Sequence, residues 1–195
     1  MLWFWYAQGM VANIERRQHL LNAGVDVLGG RGARGLTHRA VDDAAGVPRG
    51  TCANYFESRG LLLRGIAERV FERLAPEPDR LKELEQLPAE SAQQGYLDYV
   101  WERLQAERNL PLALIEIRLE AARNPDVAEL VTPLLRAGFE ADVAFHAARG
   151  LSGGADQVLV LHHFINGLLL DQLTISIAPT VDAKQVLAAL AASYM

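Results

Sequence analysis

Leu36-Thr-His-Arg-Ala-Val-Asp-Asp-Ala-Ala-Gly-Val-Pro-Arg-Gly-Thr-Cys-Ala-Asn-Tyr-Phe-Glu-Ser-Arg-Gly-Leu-Leu-Leu63 is the stretch that decides the fold. Thr37 can cap a short helix, because its hydroxyl takes a backbone N–H that the first helical turn leaves free. That helix runs to Ala45. Gly46 supplies the turn, since glycine enters the left-handed region without a Cβ penalty. Pro48 suits the opening of a second short helix, which ends near Phe56. Ala40, Val41, Ala44, Val47, Cys52 and Phe56 fall where two crossing helices must touch. Two short helices crossing at a tight glycine turn form a helix-turn-helix, whose second helix lies in the DNA major groove.

Outward from this core the periodicity stays helical, so the expected class is all-α. A leading helix spans about Val11 to Leu28, with Ile14, Leu20, Leu21, Val25 and Leu28 on its inner face, and Gly29-Gly30-Arg31-Gly32 stops it. Ser58 caps a helix from Arg59 to Leu74, closed by Pro76 and Pro78. Further helices are expected at about 80–87, 89–108, 110–123, 125–150, 154–178 and 181–194. Pro133 sits inside one of them, as a kink.

The segment resembles the DNA-binding domain of the tetracycline-repressor (TetR) family of bacterial regulators. Thr37, Ala45-Gly46-Val47, Gly50-Thr51, Tyr55-Phe56 and Ser58-Arg59 stand at that family's intervals. Asp42 departs from the pattern, which more often has alanine there; the acid must tilt to solvent or find a partner. Ala53 also departs, where many members place an aromatic residue. The resemblance implies an N-terminal three-helix reader, a C-terminal helical domain for ligand and dimer, and no enzymatic activity. Four parts are expected: a disordered or non-native extension at 1–10, the reader at 11–60, a connecting helix at 61–78 and a sensor at 79–195. It also implies an operator of pseudo-palindromic double-stranded DNA, homodimerisation through helices 154–178 and 181–194, and repression relieved by a small molecule. The 59–74 helix would be the lever between sensor and reader.

Candidate DNA-binding residues are Thr37, His38, Pro48, Arg49, Gly50, Thr51, Asn54, Tyr55 and Arg59. Arg49 suits a bidentate contact to guanine, and Asn54 an adenine or a phosphate. Thr37, His38, Tyr55 and Arg59 suit phosphates, which fix register without reading sequence. Phe56 and Cys52 read as packing residues. In the C-terminal region Tyr99, Trp101, Glu116, Arg118, His162, His163 and Asn166 are polar or aromatic groups in otherwise apolar helices. They are the effector candidates, because a pocket needs apolar walls with a few placed polar groups.

Composition agrees with a two-part chain. The 195 residues carry a formal net charge of −5, and half are hydrophobic, which excludes a disordered tail protein. Residues 11–60 hold seven arginines against five acids, whereas 61–195 hold twelve basic residues against nineteen acidic ones. The single cysteine, Cys52, excludes a disulfide scaffold and fits a cytoplasmic setting. The apolar run Val158–Ala178 contains His162, His163, Asn166, Asp171 and Gln172, so it reads as a buried helix and not a membrane span. His162 and His163 are adjacent, about 100° apart on a helix, so they do not share a metal. No phosphate loop, Gly-x-Ser-x-Gly elbow or His-Glu-x-x-His pair is present, and no cofactor is expected. Two other classes remain open: a constitutive or partner-controlled DNA binder without an effector, and a helical small-molecule-binding protein or enzyme.

Overall fold

A computed structural model describes the backbone of residues 2–151 and 153–193, and the side chains of 13–88, 91–151 and 153–190. The expected extension at 1–10 lies outside the residues whose side chains are described. Among the described residues every regular element is a helix: α1 (Leu2–Gly35), α2 (His38–Ala45), α3 (Thr51–Tyr55), α4 (Arg59–Leu74), α5 (Pro78–Glu85), α6 (Ala89–Gln105), α7 (Asn109–Ala121), α8 (Pro125–Ala148), α9 (Gly154–Leu173) and α10 (Ala183–Ser193).

The chain divides into two compact units, residues 1–73 with 109–134, and residues 74–108 with 135–195. In the first unit Leu20, Leu21, Val25 and Leu28 of α1 are buried with Val41, Cys52, Phe56, Leu62, Ile66, Leu110, Ala113 and Ile117. Polar contacts bring α7 to the end of α1. Glu116 Oε2 accepts from the Ala33 N–H at 3.0 Å, and Asn109 Nδ2 donates to Asp26 at 3.3 Å.

Several helix ends differ from expectation, and α1 begins at Leu2 where a start near Val11 is expected. The first helix does not stop at Gly29; it continues until Gly32 turns to φ 69°, ψ 175°, a conformation a side chain would strain. The helix expected over 154–178 ends at Leu173. Thr174, Ile175 and Ile177 are β-branched and lose χ1 freedom in a helix. Asp171 draws the chain out of the helical path by accepting from the Ile177 N–H at 2.9 Å and from the Ser176 hydroxyl. Arg108 Nη2 then donates to the freed Leu173 carbonyl at 2.6 Å. In the second unit Leu97 and Leu161 form a buried pair, with Ile165 and Leu190 packed against them.

A helix-turn-helix reader and a cavity between helices

The reader is assembled by local capping. Thr37 Oγ1 accepts from the Ala40 N–H at 3.0 Å and starts α2. Gly46 ends it in the left-handed region at φ 63°, with its N–H on the carbonyls of Asp42 and Asp43. The N-cap of α3 is Gly50, at φ 90°, which has no side chain to offer. Asp42 supplies what is missing. It is 1% exposed, and its carboxylate accepts from the Gly50 N–H and the Cys52 N–H, both at 2.7 Å. One acid on α2 thus caps α3, satisfies two donors and fixes the angle between the helices. The expected alternatives for Asp42 resolve to the second, a partner, and that partner is backbone. Beside it the Cys52 thiol is pushed up to about 11, first by burial and then by the Asp42 charge, so it stays protonated at neutral pH.

The predicted DNA-binding residues divide into free and occupied groups. Pro48, Arg49, Gly50, Ala53 and Asn54 are exposed along α3 and its entry turn. Thr37 is spent on its cap, and the Thr51 hydroxyl donates to the Pro48 carbonyl. His38 Nε2 donates to the Phe56 carbonyl at 2.7 Å, closing the end of α3. Tyr55 is half-buried. Arg59 is held by two partners, Glu120 Oε1 at 3.0 Å and the Ala33 carbonyl at 2.9 Å. Its side chain is 43% exposed at the start of α4, where Ser58 Oγ accepts from the Leu61 N–H.

The second unit contains a cavity of about 50 Å³ among α6, α8 and α9. Leu97, Val100, Leu151, Val158, Leu161 and Ile165 make its walls; Gln93, Tyr96, Asp142, His146 and His162 are its polar groups. Asp142 is the hub. His162 Nε2 donates to its Oδ2 at 2.8 Å, and the Tyr96 hydroxyl to its Oδ1 at 3.3 Å. Burial, and then the Asp142 charge, raise the Tyr96 hydroxyl well above the ordinary tyrosine range. Tyr96 stacks on Phe145, and Phe139 meets His162 edge-on.

Of the seven effector candidates, His162 lines this cavity; Asn166 is not among the lining residues and donates to the His162 carbonyl of its own helix at 2.6 Å. Tyr99 instead lines an open, charged depression of about 310 Å³ with Arg80, Glu83, Asp98 and Glu102, its hydroxyl accepting from the Glu77 N–H. Trp101 is buried but not among the cavity-lining residues, and His163 and Arg118 are exposed. Glu116 belongs to the first unit and is engaged at Ala33. Gln93, Tyr96, Asp142 and His146 were missed. Their signal was present, because Gln93, Tyr96, Leu97 and Val100 share one face of a helix and Asp142 and His146 stand four apart.

A capped reader helix in one unit and a mixed apolar–polar cavity in the other define a helix-turn-helix protein with a separate helical second unit. Residues 88–193 match the tetracyclin repressor-like C-terminal domain. No curated protein matches the chain in sequence. In fold it resembles a protein from Rhodococcus sp. assigned to the TetR family of transcriptional regulators (21% identity, 93% of this chain and 98% of that one, TM-score 0.73). It also resembles the multidrug binding protein EbrR complexed with ethidium (23% identity, 93% and 98%, TM-score 0.70). A third likeness is to a protein from Saccharomonospora viridis assigned as a transcriptional regulator, in complex with choline (17% identity, 90% and 95%, TM-score 0.72). The chain belongs to the tetracyclin repressor-like family. Among the described residues no helix is long and apolar enough to cross a membrane, and no group of three metal-ligating side chains occurs.

Proposed function

We propose that this protein is a cytoplasmic, homodimeric repressor that reads a pseudo-palindromic operator through α3 and releases it when a small molecule enters the second unit. The observation that carries the reading is the α3 surface: Arg49 in its entry turn and Ala53 and Asn54 on the helix are exposed, and buried Asp42 holds that helix at a fixed angle. Arg49 recognises a guanine in the major groove, and Arg59, pinned on Glu120 and Ala33, presents its other donors to a phosphate. Titration of the chain's upstream intergenic DNA at two salt concentrations tests this. Arg49→Ala is expected to lose about 1–3 kcal/mol of discrimination while keeping non-specific affinity. Arg59→Ala is expected to weaken every duplex and lower the salt slope by about one. Equal losses on operator and random duplex for both variants would defeat the assignment.

Two further features support the dimer and the effector. Leu159, Val160 and Leu170 of α9 are exposed, and Ile175 and Ile177 beyond it are 91% and 95% exposed, an apolar surface that a second copy of the chain covers. Sedimentation velocity at micromolar protein is expected to give a dimer; a monomer would overturn that part. The cavity holds only a few waters as it stands, so an effector must move its walls. A ligand that binds the opened form better than the closed one shifts the population between them, and only that difference shifts it. EbrR and the Saccharomonospora protein, which hold ethidium and choline, support a small-molecule effector here.

A further inference from the structure

We propose that the ligand of the second unit is an organic acid with an apolar body, its carboxylate held by Arg103 and a second acceptor on it held by Gln93. The inference rests on reading that unit as the effector-binding part, and goes further by assigning the ligand's charge. Gln93, Tyr96, Leu97, Val100 and Arg103 follow one another at i, i+3, i+4, i+7 and i+10 along α6, side by side on one helical face. The first four line the cavity, and Arg103 extends the same face one turn beyond Val100.

The polar groups on this face are unequally satisfied. Asp142, the one carboxylate in the lining, has two donors, from His162 and Tyr96. The groups left over are donors. Gln93 Nε2 and both Nε and Nη1 of Arg103 are buried without a hydrogen-bond partner among the described residues. The Arg103 guanidinium lies over the Tyr99 ring, 5.2 Å from its centroid, and its charge is felt at the Tyr96 hydroxyl. A ring face and the C-terminal end of α6 soften the burial of that cation, but neither accepts its N–H groups. Two of the three nitrogens of this half-buried guanidinium are buried, and buried charged groups are paired or hydrogen-bonded, so the site lacks an anion.

The fourth unpartnered atom, Gln157 Oε1, is an acceptor in the first turn of α9 against Gly153, and Gln157 is not among the cavity-lining residues. A cationic ligand would leave all three α6 donors unpaired and would have to displace His162 from Asp142. A carboxylate at Arg103 removes the deficit, and its apolar body then lies along Tyr96 and Val100 toward Gln93.

The test uses the full-length protein and three nearly isosteric probes: 4-acetylbenzoate, 4-acetylbenzamide and 4-acetylbenzamidine. Calorimetric titration is expected to show the acid binding at least about tenfold more tightly than the amide or the amidine, the margin a buried charge-assisted contact gives. Arg103→Met should erase that preference, and Gln93→Leu should weaken the acid while leaving the charge preference in place. Circular dichroism of both variants checks the fold, and Arg103→Lys, which keeps the charge, should retain part of the preference. Amidine binding as tight as acid binding, unchanged acid binding in Arg103→Met, or no acid binding at millimolar concentration would overturn the proposal. So would Arg103→Met changing the association state alone, which would assign the missing anion to a second subunit. If the acid binds through Arg103 yet leaves operator affinity untouched, the ligand class stands and the effector reading fails. Operator release by other molecules with no binding of the acid fails the ligand class and keeps the effector reading.

Discussion

Asp42→Ala is expected to lower the midpoint of thermal unfolding by about 6–12 °C and to abolish operator binding at concentrations where the parent is saturated. The carboxylate makes two short, charge-assisted hydrogen bonds to the backbone N–H groups of Gly50 and Cys52. Truncation deletes both acceptors and leaves the Cys52 N–H in a buried site, a loss of about 3 kcal/mol. For a chain of this length each kcal/mol moves the midpoint by about 2–4 °C. The effect on DNA comes from geometry. A five-residue helix capped by glycine has almost no stability of its own, so α3 keeps its angle through Asp42. Asp42→Asn retains one good acceptor and turns an NH2 toward the second donor, so it should fall between parent and alanine. A thermal scan and an operator titration on the three proteins decide it. An alanine variant with parental midpoint and parental operator affinity would show that the cap is dispensable.

What the sequence revealed and what it hid separate by contact distance along the chain. Thr37, Gly46 and Ser58 do their work within three or four residues, and each appears in the structure doing it. Asp42 stands out in the sequence, but its partners are eight and ten residues away across a turn, and only the crossing of α2 and α3 brings them together. The Ala33–Glu116 and Asp26–Asn109 bonds each span 83 residues, beyond any periodicity, and they belong with the packing of 109–134 beside the reader. The end of α9 was legible in principle: Thr174-Ile-Ser-Ile177 is poor helix material, yet its apolar character matched the helix before it. For the cavity, singling out isolated histidines and aromatics found His162. Reading the α6 and α8 faces as spaced sets would have added Gln93, Tyr96, Asp142 and His146.

The glycines at the end of α1 give the sharpest test of that hidden packing, because two neighbours should respond with opposite signs. Read as sequence, Gly29 and Gly30 are equivalent helix stoppers. In the structure both lie inside α1, and an alanine would ordinarily gain about 1 kcal/mol of helix propensity over glycine there. At Gly30 a Cβ would meet nothing within 4 Å, so Gly30→Ala should raise the unfolding midpoint by about 1–4 °C. At Gly29 a Cβ would collide with the Asn109 carbonyl oxygen and stand 2.8 Å from its Cα. Those are backbone atoms of the first residue of α7, so no side-chain rotation relieves the clash; the helices themselves must separate. That separation disturbs the Asn109–Asp26 and Glu116–Ala33 bonds together with buried Leu110, Ala113 and Ile117. Overpacking of a core costs about 1–3 kcal/mol, and a backbone clash belongs at the upper end. After the propensity gain is subtracted, Gly29→Ala should lose about 2 kcal/mol and lower the midpoint by about 4–8 °C. The opposite signs cancel any general effect of replacing glycine in a helix. If both variants gain stability, α7 does not approach α1 at Gly29, and residues 109–134 do not belong with the reader.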